Sequence, residues 1–587
     1  MNIFVLRWSK DGGADPAAAT AALERLLAAL PFDLGGGIET WVAPDGRVAA
    51  AWASHDPEVV GGVAYVQADA DSLGLFSGRP ITWASGRADG RSPLDPTHYL
   101  GPAAGWAPPL DGRAAAASAG PGRLEVWSDP LGAYPLYVVE TSGGCWISNN
   151  PELLRDIAGS REMDRRALAS LAGGGWPLDG DPVWSHVRRL APGLRSFGTD
   201  ARLPSPRPAL GGGLDPDAAA NTLVETVRAL ADWPGRPSVV PVTGGRDSRV
   251  ILAAARATGI EFTATTGGDA DDEDVLIGAE LARWAGVTHT LIEADPGGDM
   301  WTRPRRAAQT LMLTCAGTAS LADAAGFPLT SRSGALPLWH TGQGGEIGRA
   351  YYPARRGRTR AVRALERAFT GRRPGRRPPL NSRGARLVRS RLEAWADEQL
   401  AAGARASDLA DLFYLTRRMG TWAGPTHGAV EWVRDSTSAL WSARVVPHLL
   451  APARREREAE RFHREVLALL APELLELPLA GGGWRSGSAA RRRAERAARL
   501  ARRAAGEARG RLGRQTGPAA PDAVDSGTDP FSAVRELVAA ALANGNHPVF
   551  DVVDRTHVAR LLATASPDTM RRYYVWRVAT VVLADAE

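Results

Sequence analysis

The sequence predicts two fold classes in one chain. Residues 1–205 read as an α+β unit, a β-sandwich flanked by helices, and residues 217–587 as a doubly wound parallel α/β unit with added helices. Three observations carry this. IFVLRW, RVAAAWAS and LEVWSDP alternate apolar and polar residues between Gly, Pro and Asp turns, the pattern of half-buried strands. From Val239 onward apolar runs alternate with amphipathic helices, the βαβ pattern of a parallel sheet covered on both faces. Between the two, ARLPSPRPALGGGLDP is rich in Pro and Gly and sets a linker at 206–216.

The bulk numbers bound the rest. A chain of 587 residues has room for two or more domains, and 44% hydrophobic with 23% charged residues is the balance of a soluble globular protein. No run of about 20 apolar residues occurs, so no membrane span is expected. The start, MNIFVLRWSKDGG, lacks a basic region followed by an apolar core, so no signal peptide is expected. Cys145 and Cys315 are the only cysteines; this excludes a disulfide framework and makes a cytoplasmic location the expectation. The net charge is +5, and Lys10 is the only lysine. Abundant Ala, Gly, Pro and Arg make the basic balance compositional, so nucleic acid is not an expected partner. Any step needing a cation must use arginine or Lys10.

In chain order, Trp127–Ile157 reads strand, turn, strand, hairpin, strand, helix. MDRRALASLAGGGWPLDG then reads as a helix and a Gly-rich turn, and DPDAAANTLVETVRALADW as a helix. The strand Val239–Val242 stops at Thr243, Gly244 and Gly245, and a helix opens at Arg246, Asp247 and Ser248. Glycines that let backbone approach an anion, followed by free helix-start N–H groups, suit a phosphate; the bland alternative is a tight turn with a cap. Asp247 repels a phosphate unless a divalent cation lies between them. IEFTATTGG, DDEDVLIGAELARWAGV and THTLIEA continue the βαβ pattern. The switch-point rule puts Thr265, Thr266 and Gly267 near the base or ribose of a nucleotide. Asp274 either complements the helix N-terminus or is a ligand.

A second strand and Gly loop, ALPLWHTGQGGEIGRAYY, brings Gly342, Gln343, Gly344, Gly345, Glu346 and Arg349. Residues 353–391 are densely basic, either a solvated, partly disordered insertion or a lid or surface for an acidic peptide or protein. FYLTRRMGTWAG reads as a helix carrying Tyr414, Arg417, Arg418 and Trp422. Residues 486–528 form a second basic insertion, and the final helices are expected against the second unit.

Several of these stretches resemble one superfamily. Thr243 to Ser248 resembles the S-G-G-x-D-S loop of the ATP pyrophosphatase (PP-loop) fold. Gly342 to Arg349 resembles the pyrophosphate loop of asparagine synthetases, with Gln343 for a glutamate and Glu346 for an aspartate. VRDSTSALWSARVVPHLL resembles a further synthetase element, in which Asp435, Ser438, Arg444 and Pro447 match and Leu450 replaces an aspartate. Asp129-Pro130-Leu131-Gly132, Pro135-Leu136-Tyr137 and Ser148-Asn149 resemble elements of Ntn-type class II glutamine amidotransferase domains. The resemblance implies ATP and Mg²⁺ as cofactors, Asp247 and Glu346 as metal ligands, and Arg246, Arg349 and Arg444 as charge-stabilising groups. Where that family carries a phosphate-contacting lysine, this chain has Trp484 and Arg485, so Arg485 or Arg444 is the substitute. The glutaminase nucleophile is an N-terminal cysteine, and here no cysteine precedes Cys145, so a degenerate glutaminase is expected. Relatives without that cysteine use an amine on the substrate itself. Gly342 to Arg349 and the Trp484 segment look most like lasso-peptide macrolactam cyclases, which implies a precursor core peptide as substrate and a leader-binding protein and leader peptidase as partners. A small-molecule amidoligase, asparagine synthetase-like or β-lactam synthetase-like, a non-catalytic scaffold and an RNA-binding PP-loop protein are the alternatives.

Overall fold

A computed structural model describes residues 2–31, 34–55, 66–84, 87–89, 110–198, 202–204, 208–232, 236–292, 304–324, 336–372, 376–431, 434–482, 484, 530–564 and 569–584. Arg485 and the basic stretch 486–528 lie outside these residues.

The first unit is built on two six-stranded antiparallel sheets packed face to face, with a small antiparallel sheet of Arg87–Asp89, Ile81–Ala84 and Leu110–Asp111 beside them in the sequence. Strand Asn2–Ser9 runs antiparallel between Gly144–Ser148 and Val48–His55 in one six-stranded sheet. Arg123–Ser128 runs between Ala114–Gly120 and Gly193–Phe197 in the other. The period of two in IFVLRW explains the layers. Phe4, Leu6 and Trp8 join Leu75, Ala117 and Val126 of the second sheet in one buried cluster. Ile3 and Val5 face the other way and join Leu23 and Leu26 of helix Ala17–Ala29.

The second unit holds a five-stranded sheet, parallel throughout. Its order is His289–Ile292, Phe262–Gly267, Ser238–Pro241, Leu338–His340, Asp435–Thr437. In chain order that is 3-2-1-4-5, so the direction of progression reverses between Ser238–Pro241 and Leu338–His340. Such a switch point opens a crevice beyond the carboxyl ends of the two strands. The loops that leave there are the two Gly-rich loops singled out from the sequence.

Buried charges join the two units. Arg113 Nη1 lies 2.9 Å from Glu431 Oε2, both side chains almost wholly buried. Asp111 accepts from the Ser442 hydroxyl and, at 2.8 Å, from the Ala443 N–H. Asp435 takes Arg79 and Arg236 together. Breaking a buried pair by removing one partner typically costs about 3–5 kcal/mol, so these contacts fix how the halves sit.

Two placements differ from the sequence reading. Much of the basic stretch 353–391 is folded: helices Arg358–Thr370 and Ser382–Ala401 bury Leu365, Phe369, Leu392 and Trp395. The last helix, Thr569–Ala584, also reaches the first unit, where Arg577 Nη1 donates to Gly173 O at 2.9 Å. Its Tyr574 and Trp576 are buried, a face too apolar for one neighbour to cover. Among the described residues no helix is long and apolar enough to cross a membrane.

Candidate active site at the crevice between two glycine loops

The first loop follows Ser238–Pro241 and opens helix Arg246–Thr258, with Gly245 at the N-cap position. Its hydroxyls hold the turn. Thr243 N–H donates to Ser248 Oγ at 3.2 Å and Gly245 N–H to Thr243 Oγ1 at 3.1 Å. Asp274 lies in the first turn of helix Glu273–Ala285, and its Oδ1 accepts from the Gly244 N–H at 2.8 Å, tying that helix start to the loop. Thr266 is buried under the loop, its hydroxyl donating to Val242 O at 2.7 Å, while Gly267 is exposed at the strand end. Arg246 Nε donates to Glu460 Oε2 at 2.6 Å.

The second loop packs directly on the first. A Cβ on Gly342 would lie 2.5 Å from Ser248 N, and one on Gly345 would lie 2.2 Å from Asp247 Oδ1. Glycine is required at both positions because the neighbours are already in contact. Gln343 points away: its Oε1 meets His427 Nε2, and His427 Nδ1 meets the Ser436 hydroxyl. Burial, with Arg113 and Arg434 nearby, drives the His427 pKa well below the usual histidine value. Gly344 has φ 98°, the left-handed backbone that glycine adopts freely. Glu346 and Arg349 then fall on the short helix Gly345–Arg349.

These loops bring Asp247, Glu346 and Arg349 together. Arg349 Nη2 lies 2.6 Å from Asp247 Oδ2 and 3.6 Å from Glu346 Oε1. His463 Nε2, on a wholly buried side chain, donates to Asp247 Oδ1 at 2.7 Å. Burial opposes the charge on Asp247, yet His463 and Arg349 outweigh it and hold the carboxyl below its usual range. Burial likewise opposes the charge on Arg349, and Asp247, Glu346 and Glu460 outweigh it in turn. Glu346 Oε2 is buried with no hydrogen-bond partner. Tyr414 faces Glu346, and burial together with that carboxylate pushes its phenol well above the ordinary value. Arg444 follows Ser442, whose Oγ accepts from the Arg444 backbone N–H at 3.1 Å.

Among the described residues no group of three or more His, Cys, Asp or Glu side chains gathers as a metal site. The facing carboxylates of Asp247 and Glu346, one with an unused buried oxygen, would hold a hard divalent cation only together with oxygens of a bound substrate. Arg349 holds the cationic position between them.

His463, Tyr414 and Glu460 are site residues that motif reading does not assign. His463 leaves one signal: it shares the buried stripe Phe462, Val466, Leu467 of helix Arg461–Leu470, where an imidazole needs a partner. Tyr414 opens a π-helix, Tyr414–Ala423, a widened turn often found at functional sites. Arg249 was also unassigned. It is fully buried and donates to Leu474 O, Leu477 O and Pro478 O at 2.6, 3.0 and 2.6 Å. That latch brings Ala480 N–H to Gly244 O at 2.9 Å, closing the LPLAGG segment over the first loop.

In the first unit, Asp129 accepts from the N–H groups of Leu131, Ala133 and Tyr134 and so shapes the D-P-L-G turn. Burial pushes the Cys145 thiol up to about 12 and raises that of Cys315, so neither sulfur is an activated nucleophile.

No family model matches the sequence, and no curated protein matches it. Among solved structures, the chain is similar at 10% identity to a glutamine phosphoribosylpyrophosphate amidotransferase from B. subtilis complexed with ADP and GMP, with a TM-score of 0.22 over 50% of this chain. The match spans 65% of that structure's length. A second, the allosteric regulatory enzyme of purine biosynthesis, is also 10% identical, with a TM-score of 0.21 over 50% of this chain and 80% of its own.

Proposed function

We propose that this chain is an ATP-dependent, AMP-forming amide ligase, and that its reaction closes a macrolactam on a precursor peptide. The observation that carries this is the meeting of Asp247 and Glu346, from two glycine loops, at the switch point of a parallel sheet. ATP lies with its phosphates along Thr243–Ser248 and Gly342–Gly345. Asp247 and Glu346 would hold Mg²⁺, which neutralises phosphate charge when bound. A side-chain carboxylate of an Asp or Glu in the peptide attacks the α-phosphorus, and pyrophosphate leaves. The peptide's N-terminal amine attacks the acyl-adenylate carbon, the amide forms, and AMP departs with the proton lost from the amine. Arg246 and Arg349 are the cations at hand for the developing phosphate charge; the only lysine, Lys10, is on the first unit. Holding both ends of one peptide in one crevice replaces a bimolecular encounter. A leader-binding protein and a leader peptidase would supply the free N-terminus. The buried, unactivated cysteines favour a substrate amine over ammonia released from glutamine.

The test is mass spectrometry of a candidate core peptide incubated with ATP, Mg²⁺ and the protein, with leader peptidase where the leader is present. Loss of one water with AMP and pyrophosphate formed supports the reading. AMP formed from aspartate and ammonia, with the peptide mass unchanged, replaces it with a small-molecule ligase.

A further inference from the structure

Helix Arg358–Thr370 carries an arginine on each of its turns. At about 100° per residue, Arg360, Arg363 and Arg367 fall within an arc of about 60°. All three are exposed, whereas Ala361, Val362, Leu365 and Phe369 form the buried face. Among the described residues none of the three has a carboxylate partner. Some exposed arginines elsewhere are paired, Arg25 with Asp156, Arg123 with Glu125 and Arg405 with Asp408. Others, such as Arg283 and Arg464, have no carboxylate partner among the described residues; what sets the stripe apart is three such arginines on one arc of one helix. The helix's single acid, Glu366, is taken by Arg389, and its off-stripe Arg358 by Asp397. The stripe is thus the side of the helix left unneutralised. Arg355 and Arg356, also exposed, extend it toward the chain's entry.

That entry leads to the candidate site. Tyr351, half exposed, precedes the stripe and packs against Tyr414 with the ring centroids 5.2 Å apart and the planes tilted by 55°, and Tyr414 faces Glu346. The stripe and Tyr351 lie on one short stretch of chain, with Arg355 and Arg356 between them. No exposed aromatic interleaves the three arginines, whereas single-stranded nucleic acid is usually held by bases stacked between basic groups. Repeated point charges at one-turn spacing suit the carboxylates of an extended polypeptide.

We infer that Arg360, Arg363 and Arg367 form a docking stripe for an acidic segment of the peptide that enters the site at Tyr351. This rests on the peptide-ligase reading for the identity of the occupant. The binding itself is measured without nucleotide, so it succeeds or fails apart from adenylation.

The experiment is fluorescence anisotropy on the full chain. The probes are a labelled peptide of about ten residues alternating Glu and Ser, its Gln counterpart, and a single-stranded RNA of similar length. The Glu peptide binds and the Gln peptide does not. The triple variant R360E/R363E/R367E weakens Glu-peptide binding by roughly tenfold or more, as expected for loss of three exposed ion pairs. Circular dichroism checks that the variant is folded, and R360Q/R363Q/R367Q serves if charge reversal disturbs the helix. Equal binding of the Glu and Gln peptides, or affinity unchanged in both triple variants, overturns the inference. RNA binding tighter than the Glu peptide and lost in the same variants also overturns it, in favour of a nucleic-acid surface.

Discussion

Arg349 Nη2 lies 2.6 Å from Asp247 Oδ2, joining a helix start to a loop about a hundred residues further along the chain. The same nitrogen is 3.6 Å from Glu346 Oε1. One guanidinium thus spans two carboxylates that like-charge repulsion would otherwise drive apart. The three side chains form one electrostatic unit, and a change in any member is felt by the others.

The first prediction follows from that unit. Asp247→Asn and Glu346→Gln each lower substrate-dependent pyrophosphate release by about a hundredfold or more, because oriented charge at the reacting phosphates is lost. Circular dichroism spectra stay native, since neither change alters side-chain volume much. Full activity in either variant removes the two-carboxylate reading of the site.

The second concerns the fit of the loops. At Gly342 an added Cβ meets backbone, Ser248 N at 2.5 Å and Asp247 C at 2.6 Å, which cannot swing aside as a side chain can. Gly342→Ala therefore moves one loop off the other. A displacement on the order of 1 Å at a reacting centre costs about a hundredfold in rate, and pyrophosphate release should fall by that order. Gly37→Ala, with open space around the new Cβ, is the control and leaves activity unchanged.

Both loops are legible in the sequence because their signals are local. An apolar strand, paired glycines and an acidic residue at a helix start fall within ten residues of one another. The alternation in IFVLRW shows in the same way which residues face each layer. What the sequence hides is pairing at long range. His463 sits on an ordinary amphipathic helix, and only the fold sets it 2.7 Å from Asp247. Asp435 can be singled out in the sequence, but which arginines it would hold, Arg79 and Arg236, is not written near it. The basic run at 353–391 reads from sequence as a solvated, partly disordered insertion or as a lid or surface. Its regularly spaced Ala, Leu and Phe outweigh the arginines once a neighbouring helix covers them.

Arg249 supports the third prediction. Its guanidinium is fully buried and satisfies three carbonyls of the segment that covers Gly244. Arg249→Met fills similar volume but leaves those carbonyls without donors, at roughly 1 kcal/mol each or about 3 kcal/mol together. Urea unfolding should show that loss. Limited proteolysis should cut faster near residues 474–482, because the latch is gone. Unchanged stability and an unchanged digestion pattern would show that the segment is held by other contacts.

The fourth prediction is a pH dependence with its sign fixed by burial. His340 is buried in the central sheet, its Nε2 3.1 Å from Ser238 Oγ, and burial pushes its pKa down to about 4 from 6.5. Unfolded, it takes a proton near the ordinary value; folded, it stays neutral until about pH 4. Between those values the unfolded state binds more protons, so this contribution to stability is complete above pH 6.5 and is lost as pH falls toward 4. Asp129 works in the opposite sense. Burial lifts it to about 6, against the Ala133 and Tyr134 hydrogen bonds and the charges of Arg113 and Arg189, so its contribution declines as pH rises from 3.8. The two partly cancel in the wild-type profile, and the informative quantity is the difference from His340→Gln, which does not titrate. Urea unfolding from about pH 7 to pH 4 should show the wild type losing on the order of 2–3 kcal/mol more than the variant. Parallel profiles would mean that His340 gains its proton as readily in the folded chain as in the unfolded one.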